Sequence, residues 1–367
     1  MTMLLGDLGA RVIKVEGPDG DGTRSWGPPF HEGMSTYFKA INRNKDSVVL
    51  DLHDNNGQSL AFELATQADI LVENLRPGRM GALGLDYETL AALNPGLIYC
   101  SISGFGSQPD GANVPGYDLL AQAAGGLMSI TGEANGEPVK VGVAVVDVLC
   151  GLHAAVAVLS ALEFRNRTGR GQLVEVDLMS SVLSALTNQA SGYLLAGVLP
   201  TRAGNAHPSV VPYEVFDTMD GSIVIAVGND RQFHALALAL NAPHLAEDPK
   251  FSTNELRVLN RTELVAKLAM ELRGLTRMQA EAALRLRGVP VGPVNDVAEA
   301  FKLADSIGLD PTWTVGSDTY VRAPFRLHSS PPVAVKPAPS LDKSGEDIRE
   351  WLRSSLASRV AQPTIGD

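Results

Sequence analysis

The stretch VKVGVAVVDVLCGLHAAVAVLSALEF (residues 139–164) joins two different apolar patterns. Its valine-rich beginning, Val139 to Val146, predicts a strand, and the run from Val148 to Phe164 predicts a long helix. Asp147 stands between them, where backbone N–H groups and the helix dipole favour an ionised carboxylate. Because aspartate is a preferred capping residue, the local pattern favours a structural cap over an anionic nucleophile.

Short β-branched runs alternate with helical patterns on both sides of this stretch. The predicted strands are 10–16, 47–52, 69–73, 97–103 and 172–178, and the predicted helices are 56–67, 86–93, 116–131, 147–167 and 180–196. Such alternation predicts βαβ units and therefore an α/β fold with a Rossmann-like parallel sheet.

The pattern changes near Pro200. Residues 201–212 are rich in turn formers, and 214–227 predict a hairpin that turns at Met219-Asp220-Gly221. Helical patterns follow at 231–240 and 262–272, and the segment Gly288–Val294 breaks them. We predict a large domain made of 1–200 plus 321–367, with a last helix at 345–356, and a smaller α+β domain at 205–318.

Composition excludes several classes of protein. The 367 residues are 45% apolar and 19% charged, which is typical of a globular enzyme rather than a disordered or fibrous chain. The net charge of -11 argues against nucleic-acid binding, which needs a basic face. An anionic ligand would have to be held by a local cluster of cations.

The remaining global signals predict a cytoplasmic protein without a membrane span. The N-terminus shows no basic region followed by an apolar stretch, so we expect no signal peptide. The uncharged run Val148–Leu162 is shorter than the ~20 residues that a bilayer requires, which favours a buried helix. Cys100 and Cys150 lie in apolar runs and are expected in the core.

Common cofactor motifs are missing from the sequence. The segment Gly104-Phe105-Gly106-Ser107-Gln108-Pro109 lacks the third glycine of a dinucleotide fingerprint. The sequence contains neither a Walker A loop nor an H-E-x-x-H pair, and no two histidines are four residues apart. We therefore expect no metal site and no permanently bound cofactor.

Six blocks of the sequence carry a family resemblance: LGDLGARVIKVEGPDGDGTRSWGPPF (5–30), INRNKDSVVLDL (41–52), ADILVENLRPGRMGALGLDYETLAALNPGLIYCSISGFG (68–106), PGYDLLAQAAGGLMSITGE (115–133), 141–178 and HPSVVPYEVFDTMDGSIVIAVGNDRQF (207–233). These blocks resemble the family III CoA-transferases, the group that contains formyl-CoA transferase and carnitine CoA-transferase. The phrases GLMSITGE, AHPSVVPY and VGNDRQF are most similar to the succinyl-CoA:dicarboxylate branch.

The resemblance implies covalent catalysis at Asp147, which falls on the family's nucleophilic aspartate. That carboxylate would attack a donor acyl-CoA, possibly succinyl-CoA, and an acceptor carboxylic acid would finally receive the CoA. Holding carboxylate and thioester together is worth up to roughly 7–11 kcal/mol in well-oriented cases. The resemblance therefore favours an anionic nucleophile over a structural cap at Asp147.

The resemblance also implies where coenzyme A, the cosubstrate, is bound. Its contacts map onto Leu50, His53, Asn74, Leu75, Arg76, Tyr117 and Asp118. His53 replaces a lysine of the formyl-CoA branch, and Arg79 stands one helical turn before the position of another family arginine. Gly228 and Asn229 correspond to a glycine-rich loop that closes over the intermediate, and Trp26 corresponds to a tryptophan near that loop.

Two alternatives remain open. The same fold hosts α-methylacyl-CoA racemase, whose pattern places a histidine at Tyr117, and tyrosine, with a reference pKa near ~10, is a poor base for that reaction. Relatives also begin with a further strand and loop before the block that starts at Met1, so a CoA-binding protein without turnover is the second alternative. By resemblance we expect an interlocked homodimer.

Overall fold

The computed structural model describes residues 1–333 and 335–360, which form two compact units. The first unit comprises residues 1–125, 142–190 and the chain from 310 onward, and the second comprises 126–141 and 191–309. Compactness does not test independent folding, so the predicted domains stay a prediction. Residues 334 and 361–367 of the predicted large-domain tail lie outside the described residues.

The described residues form a mixed α/β fold. The strands are β1 Val12–Glu16, β2 Phe30–His31, β3 Met34–Ser35, β4 Lys45–Val49, β5 Ile70–Glu73, β6 Ile98–Ser103, β7 Leu173–Asp177, β8 Tyr213–Asp217, β9 Ser222–Ala226, β10 Val291–Pro293, β11 Thr312–Val315 and β12 Asp318–Val321. The helices are α1 Thr2–Asp7, α2 Thr36–Asn42, α3 Asn55–Gln67, α4 Arg79–Ala82, α5 Tyr87–Leu93, α6 Pro109–Ala112, α7 Asp118–Ala124, α8 Val145–Thr168, α9 Leu178–Ala185, α10 Thr187–Ala196, α11 Asp230–Ala239, α12 Pro243–Glu247, α13 Asn254–Leu259, α14 Arg261–Arg273, α15 Arg277–Leu286, α16 Val297–Ser306 and α17 Gly345–Val360. Three 3₁₀ turns accompany them at Gly22–Ser25, Met128–Ile130 and Pro249–Phe251.

The first unit contains two parallel sheets, which confirms the predicted strand type. β1 pairs with β4, with Val12 opposite Lys45, and β5, β6 and β7 pair in that order, with Ile70 opposite Ile98 and Tyr99 opposite Leu173. The hairpins β2–β3 and β11–β12 add antiparallel pairs. The predicted strands agree with β1, β5, β6 and β7 within two residues at each end, and the one predicted at 47–52 begins two residues earlier.

Helices cover both faces of the β5–β6–β7 sheet. Alternate residues of β6 point to opposite faces, so that each face carries apolar side chains that a helix can bury. Leu97 and Tyr99 belong to a core with α3, α5 and α17, whereas Ile98 and Cys100 pack against α8. Both cysteines are buried free thiols, as predicted.

The second unit is built on the antiparallel sheet β10-β9-β8. The predicted hairpin is confirmed, with Tyr213 opposite Ala226. Its core contains Ile223, Ile225, Phe233, Leu264 and Leu268. The segment 288–294 ends the helical run as predicted. Part of it also forms β10, which pairs with β9, and the sequence does not predict this strand because the segment contains two prolines and two glycines.

Three predicted elements are wrong. Residues 139–144 form no strand, and α8 begins at Val145 instead of following one. The helix predicted at 116–131 ends at Ala124, because Gly125 and Gly126 follow and Gly126 has a φ of 83°. The helix predicted at 180–196 divides into α9 and α10, with Thr187 at a φ of 40°.

Helix α8 has two contrasting faces. Its buried residues include Val146, Cys150, Ala154 and Val158, so the predicted burial holds for one face only. The helix, at 24 residues, is long and apolar enough to cross a bilayer by length and composition alone, and 33% of its most apolar part is buried. Core helices of globular proteins meet the same criteria.

Candidate active site

Asp147 is the third residue of α8 and is exposed as a residue. The surroundings of its carboxyl group nevertheless remove enough water to raise the pKa above its usual range, and the negative charge of nearby Asp118 raises it further. No ion pair of Asp147 occurs among the described residues. The carboxylate is therefore more basic than an ordinary aspartate.

Asp147 does not cap its helix, so the local preference for a cap is wrong. The Asp118 Oδ1 atom accepts hydrogen bonds from the backbone N–H groups of Val146, at 2.8 Å, and of Asp147, at 3.2 Å. Ala144 occupies the N-cap position and its side chain has no oxygen. The carboxylate that binds the α8 N-terminus thus comes from α7, 28 residues away in sequence.

A close crossing of two backbone segments places Asp118. A Cβ atom on Gly104, which directly follows β6, would clash with the Gly116 Cα atom, and one on Gly116 would lie 2.8 Å from the Gly104 Cα atom. Only glycine permits this approach. Gly104, the first glycine of the rejected dinucleotide motif, therefore has a packing role beside Tyr117 and Asp118.

Tyr37 is a site residue that sequence reasoning missed. Burial raises its pKa first, and the negative charges of Asp147 and Asp118 raise it further, so α2 brings this phenol close to both carboxylates. Its ring lies 5.5 Å from that of Trp26, centroid to centroid. The Ser35 hydroxyl, which caps α2, also donates to the Trp26 carbonyl at 2.6 Å. The structure thus connects predicted Trp26 with Asp147 through Tyr37.

The segment after β5 carries the predicted residues Asn74, Leu75 and Arg76, and Arg79 follows as the first residue of α4. Glu73 fixes the start of the segment by accepting from the Leu75 N–H at 2.8 Å, and the Arg79 N–H donates to the Arg76 carbonyl at 3.0 Å. Both arginine side chains are exposed, and neither has a carboxylate within ion-pair distance in the described part of the chain. Two uncommitted guanidinium groups near the carboxyl end of a parallel strand are suited to phosphate binding.

Leu50 lines a small cavity beside β4, and His53 follows it in the chain but is not part of the lining. The Leu50 side chain is 4% exposed and belongs to the core, so only its backbone can meet a ligand, whereas His53 is exposed. The cavity measures about 280 Å³, which is at the lower limit of ligand sites. Its lining includes Leu50, Asp51, Asp54 and Arg349 but not Asp147.

The predicted loop residues Gly228 and Asn229 lie in the second unit, between β9 and α11. The Asn229 side chain caps α11 by accepting from the Gln232 N–H at 3.0 Å. The Gln232 Oε1 atom accepts in return from the Gly228 N–H at 2.8 Å. Both residues are exposed, and the Gly228 N–H would have to exchange this partner to bind an oxyanion.

Among the described residues, one group has metal-ligand geometry: His31, Glu32 and Asp318. The Lys39 ammonium already lies 2.6 Å from Asp318 Oδ1 and 3.8 Å from Glu32. A lysine therefore supplies the positive charge that this group attracts.

Comparison with known proteins gives concordant results. The family described as CoA-transferase family III matches residues 1–346. A succinate–glutarate CoA-transferase of Agrobacterium fabrum is 39% identical over 98% of this chain and 92% of its own length. The succinyl-CoA:glutarate CoA-transferase of Mus musculus is 44% identical over 83% of this chain and 70% of its own. A crystal structure of a CaiB/BaiF family protein from Brucella suis superposes with a TM-score of 0.86 at 42% identity, covering 95% of this chain and 94% of that one.

Proposed function

The chain belongs to CoA-transferase family III and moves CoA from an acyl-CoA to an acceptor carboxylic acid, and we propose that Asp147 carries out this exchange as a covalent nucleophile. One observation supports this role above all others. Asp147 stands at an exposed helix N-terminus, yet the backbone amides of that turn bind Asp118, so the Asp147 carboxylate is left without a capping partner.

The proposed cycle consists of four acyl substitutions without any redox change. The Asp147 carboxylate attacks the donor thioester and expels CoA thiolate, which leaves a mixed anhydride. The thiolate attacks the aspartyl carbonyl, releasing the donor carboxylate and forming an aspartyl-CoA thioester. The acceptor carboxylate expels the thiolate again, and thiolate attack on the acceptor carbonyl yields the new acyl-CoA and restores Asp147.

The neighbours of Asp147 suit this cycle. The Tyr37 phenol is protonated at neutral pH, as an ordinary tyrosine is, and its raised pKa keeps it so. It can donate a hydrogen bond to a carboxylate or a developing oxyanion. We assign the adjoining rings of Trp26 and Tyr37, both exposed in the single chain, to shielding the anhydride from hydrolysis by water. Arg76 and Arg79 are the cations we assign to the phosphates of CoA, and Asn74, Leu75 and Tyr117 are the further CoA contacts that the resemblance implies.

We propose short dicarboxylic acids and their CoA thioesters as substrates, with succinyl-CoA as a donor. The relatives from Agrobacterium and mouse are named for succinate and glutarate, which supports this choice. No permanently bound cofactor enters the cycle, since CoA is the cosubstrate that leaves and returns.

We further propose that the working enzyme is a homodimer in which two chains interlock, each chain having a large Rossmann-like domain and a smaller α+β domain. Val148, Leu152, Val156 and Leu159 form an exposed apolar stripe on α8 at helical spacing. In the second unit, Leu194 and Leu195 are 75% and 86% exposed. Such surfaces mark interaction sites, and light scattering should give twice the chain mass.

Intact-protein mass spectrometry tests the covalent step. After incubation with succinyl-CoA and no acceptor, the wild type should gain the mass of a CoA thioester, and Asp147→Ala should gain none. Asp86→Ala is the matched control, because Asp86 is an aspartate of the same unit that caps α5. An adduct that persists in Asp147→Ala would reassign the nucleophile, and α-deuterium uptake without CoA exchange would indicate a racemase.

A further inference from the structure

The α8 N-terminus is satisfied by a residue that lies outside the helix. Asp118 Oδ1 bridges the N–H groups of Val146 and Asp147, and Asp118 Oδ2 accepts from Gln122 Nε2 at 2.6 Å. Both carboxylate oxygens are thus committed to neighbours within the protein. The CoA contact that the resemblance implies for Asp118 stays a prediction, and the hydrogen bonds give this carboxylate a structural role beside it.

The chain segment that carries Asp118 is also fixed in position. It is the first residue of α7, one turn before Gln122, and it follows Gly116 by two positions. The backbone crossing of Gly116 with Gly104 fixes this segment against the end of β6. The cap is therefore attached to the sheet rather than to a free loop.

Resting on the proposed function, we propose that Asp118 is a positioning residue, which caps α8 in place of Asp147 and so leaves the nucleophilic carboxylate unbound and oriented for the thioester. Without this external cap, Asp147 could turn back onto the free amides of its own turn, as aspartates at helix N-termini do. A carboxylate bound to two N–H groups would be a poorer nucleophile.

The charges around Asp147 support the same assignment. Asp118 approaches from α7, Tyr37 from α2 and the Cys150 thiol from the same helix. None of these groups is cationic. The Asp118 charge therefore raises the pKa of Asp147 instead of being cancelled, and removing that charge should lower this pKa.

Two substitutions separate the cap from the charge. Asp118→Asn keeps an oxygen for the two N–H groups and removes the charge, whereas Asp118→Ala removes both. Asp86→Asn makes the same change at another helix cap of the unit, where Asp86 accepts from the Thr89 N–H at 2.8 Å. Three quantities are measured: the rate of adduct formation with succinyl-CoA against pH, the dissociation constant of CoA, and hydrogen exchange of a peptide that spans 145–150.

We expect Asp118→Ala to slow adduct formation at least about tenfold and to accelerate exchange at the start of α8, with CoA affinity unchanged, because small misplacements of a reacting group are costly. Asp118→Asn should retain protection and most of the rate, while the acid limb of its pH profile moves to lower pH. Asp86→Asn should behave as wild type.

Three results would overturn the proposal. The first is a wild-type rate in Asp118→Ala, and the second is an unchanged acid limb in Asp118→Asn. The third is a loss of CoA affinity that accounts for the whole effect, which would make Asp118 a ligand contact. A wild type that forms no adduct contradicts the proposed function itself, and with it the nucleophile that Asp118 would position.

Discussion

The two units of the molecule each present an aspartate in the first turn of a helix, and these two turns are built in opposite ways. In α11, Asn229 caps its own helix, and the adjacent Asp230 forms an ion pair with Arg257 at 2.7 Å. In α8, the cap comes from α7, and Asp147 faces another carboxylate instead of a cation. The first arrangement neutralises its aspartate and is suited to stability. The second leaves its aspartate basic and unpaired, which is suited to chemistry.

The largest expected difference between the turns is in activity. Asp147→Asn should lower CoA exchange by more than about 10³-fold, because the amide cannot form the covalent intermediate. Asp230→Asn should leave the turnover number within about threefold. Exchange of isotopically labelled succinate into succinyl-CoA measures both. Equal losses in the two variants would remove the functional distinction drawn here.

The next effect concerns stability and should appear only in the second unit. Arg257 is fully buried, stacks on Phe233 and donates to the carbonyls of Val211 and Phe251 as well as to Asp230. Arg257→Ala should cost about 3–5 kcal/mol of unfolding free energy, since these acceptors lose their donor and a cavity remains. Arg285→Ala is the control, because Arg285 is a largely exposed arginine of the same unit. Urea unfolding that shows the same midpoint for both variants would contradict this role.

The comparison also explains what the sequence predicts well and what it does not. Helix α3 begins within one residue of its predicted start, because its cap, Asp54, is its immediate neighbour in sequence. The start of α8 was wrong because Asp118, 28 residues away, binds the amides of a segment whose valines favour a strand. A local sequence pattern predicts a cap that neighbours its helix in sequence, but it does not predict a cap that comes from another part of the chain.

The candidate site shows the same division between local and remote signals. The sequence predicts Asp147, Arg76 and Arg79, and the structure places both arginines on the surface, Arg76 in a turn and Arg79 at the start of α4. Tyr37 was missed because its relation to Asp147 exists only in the folded structure, where the charge of Asp147 acts on the Tyr37 phenol. A tyrosine two residues after a capping serine carries no local signal of that proximity.

An intermediate effect should come from the backbone crossing that supports the remote cap. Gly116→Ala forces a Cβ atom against Gly104, so we expect a loss of about 1–3 kcal/mol in stability and at least about a tenfold loss in adduct formation. Gly17→Ala is matched to it, since a Cβ atom there meets nothing within 4 Å. Calorimetry and mass spectrometry on the same samples separate the two effects. Adduct formation at the wild-type rate in Gly116→Ala would show that the crossing does not position the site.

The smallest effect is a dependence of stability on pH that only the α8 turn should show. The folded-state pKa of Asp147 is raised, so the folded protein binds this proton more tightly than the unfolded chain does. The group therefore favours folding below its unfolded pKa, and this contribution is lost as pH rises through the folded value. Asp147→Asn should accordingly raise the melting temperature slightly at pH 7, and the advantage should vanish as pH falls towards 4.

Asp230→Asn should instead lower the melting temperature at pH 7, because the buried Arg257 loses its anionic partner. If the melting temperature at pH 7 rises in Asp147→Asn and falls in Asp230→Asn, the α11 turn stabilises the fold and the α8 turn destabilises it. A lower melting temperature in both variants would mean that Asp147 too is a structural carboxylate.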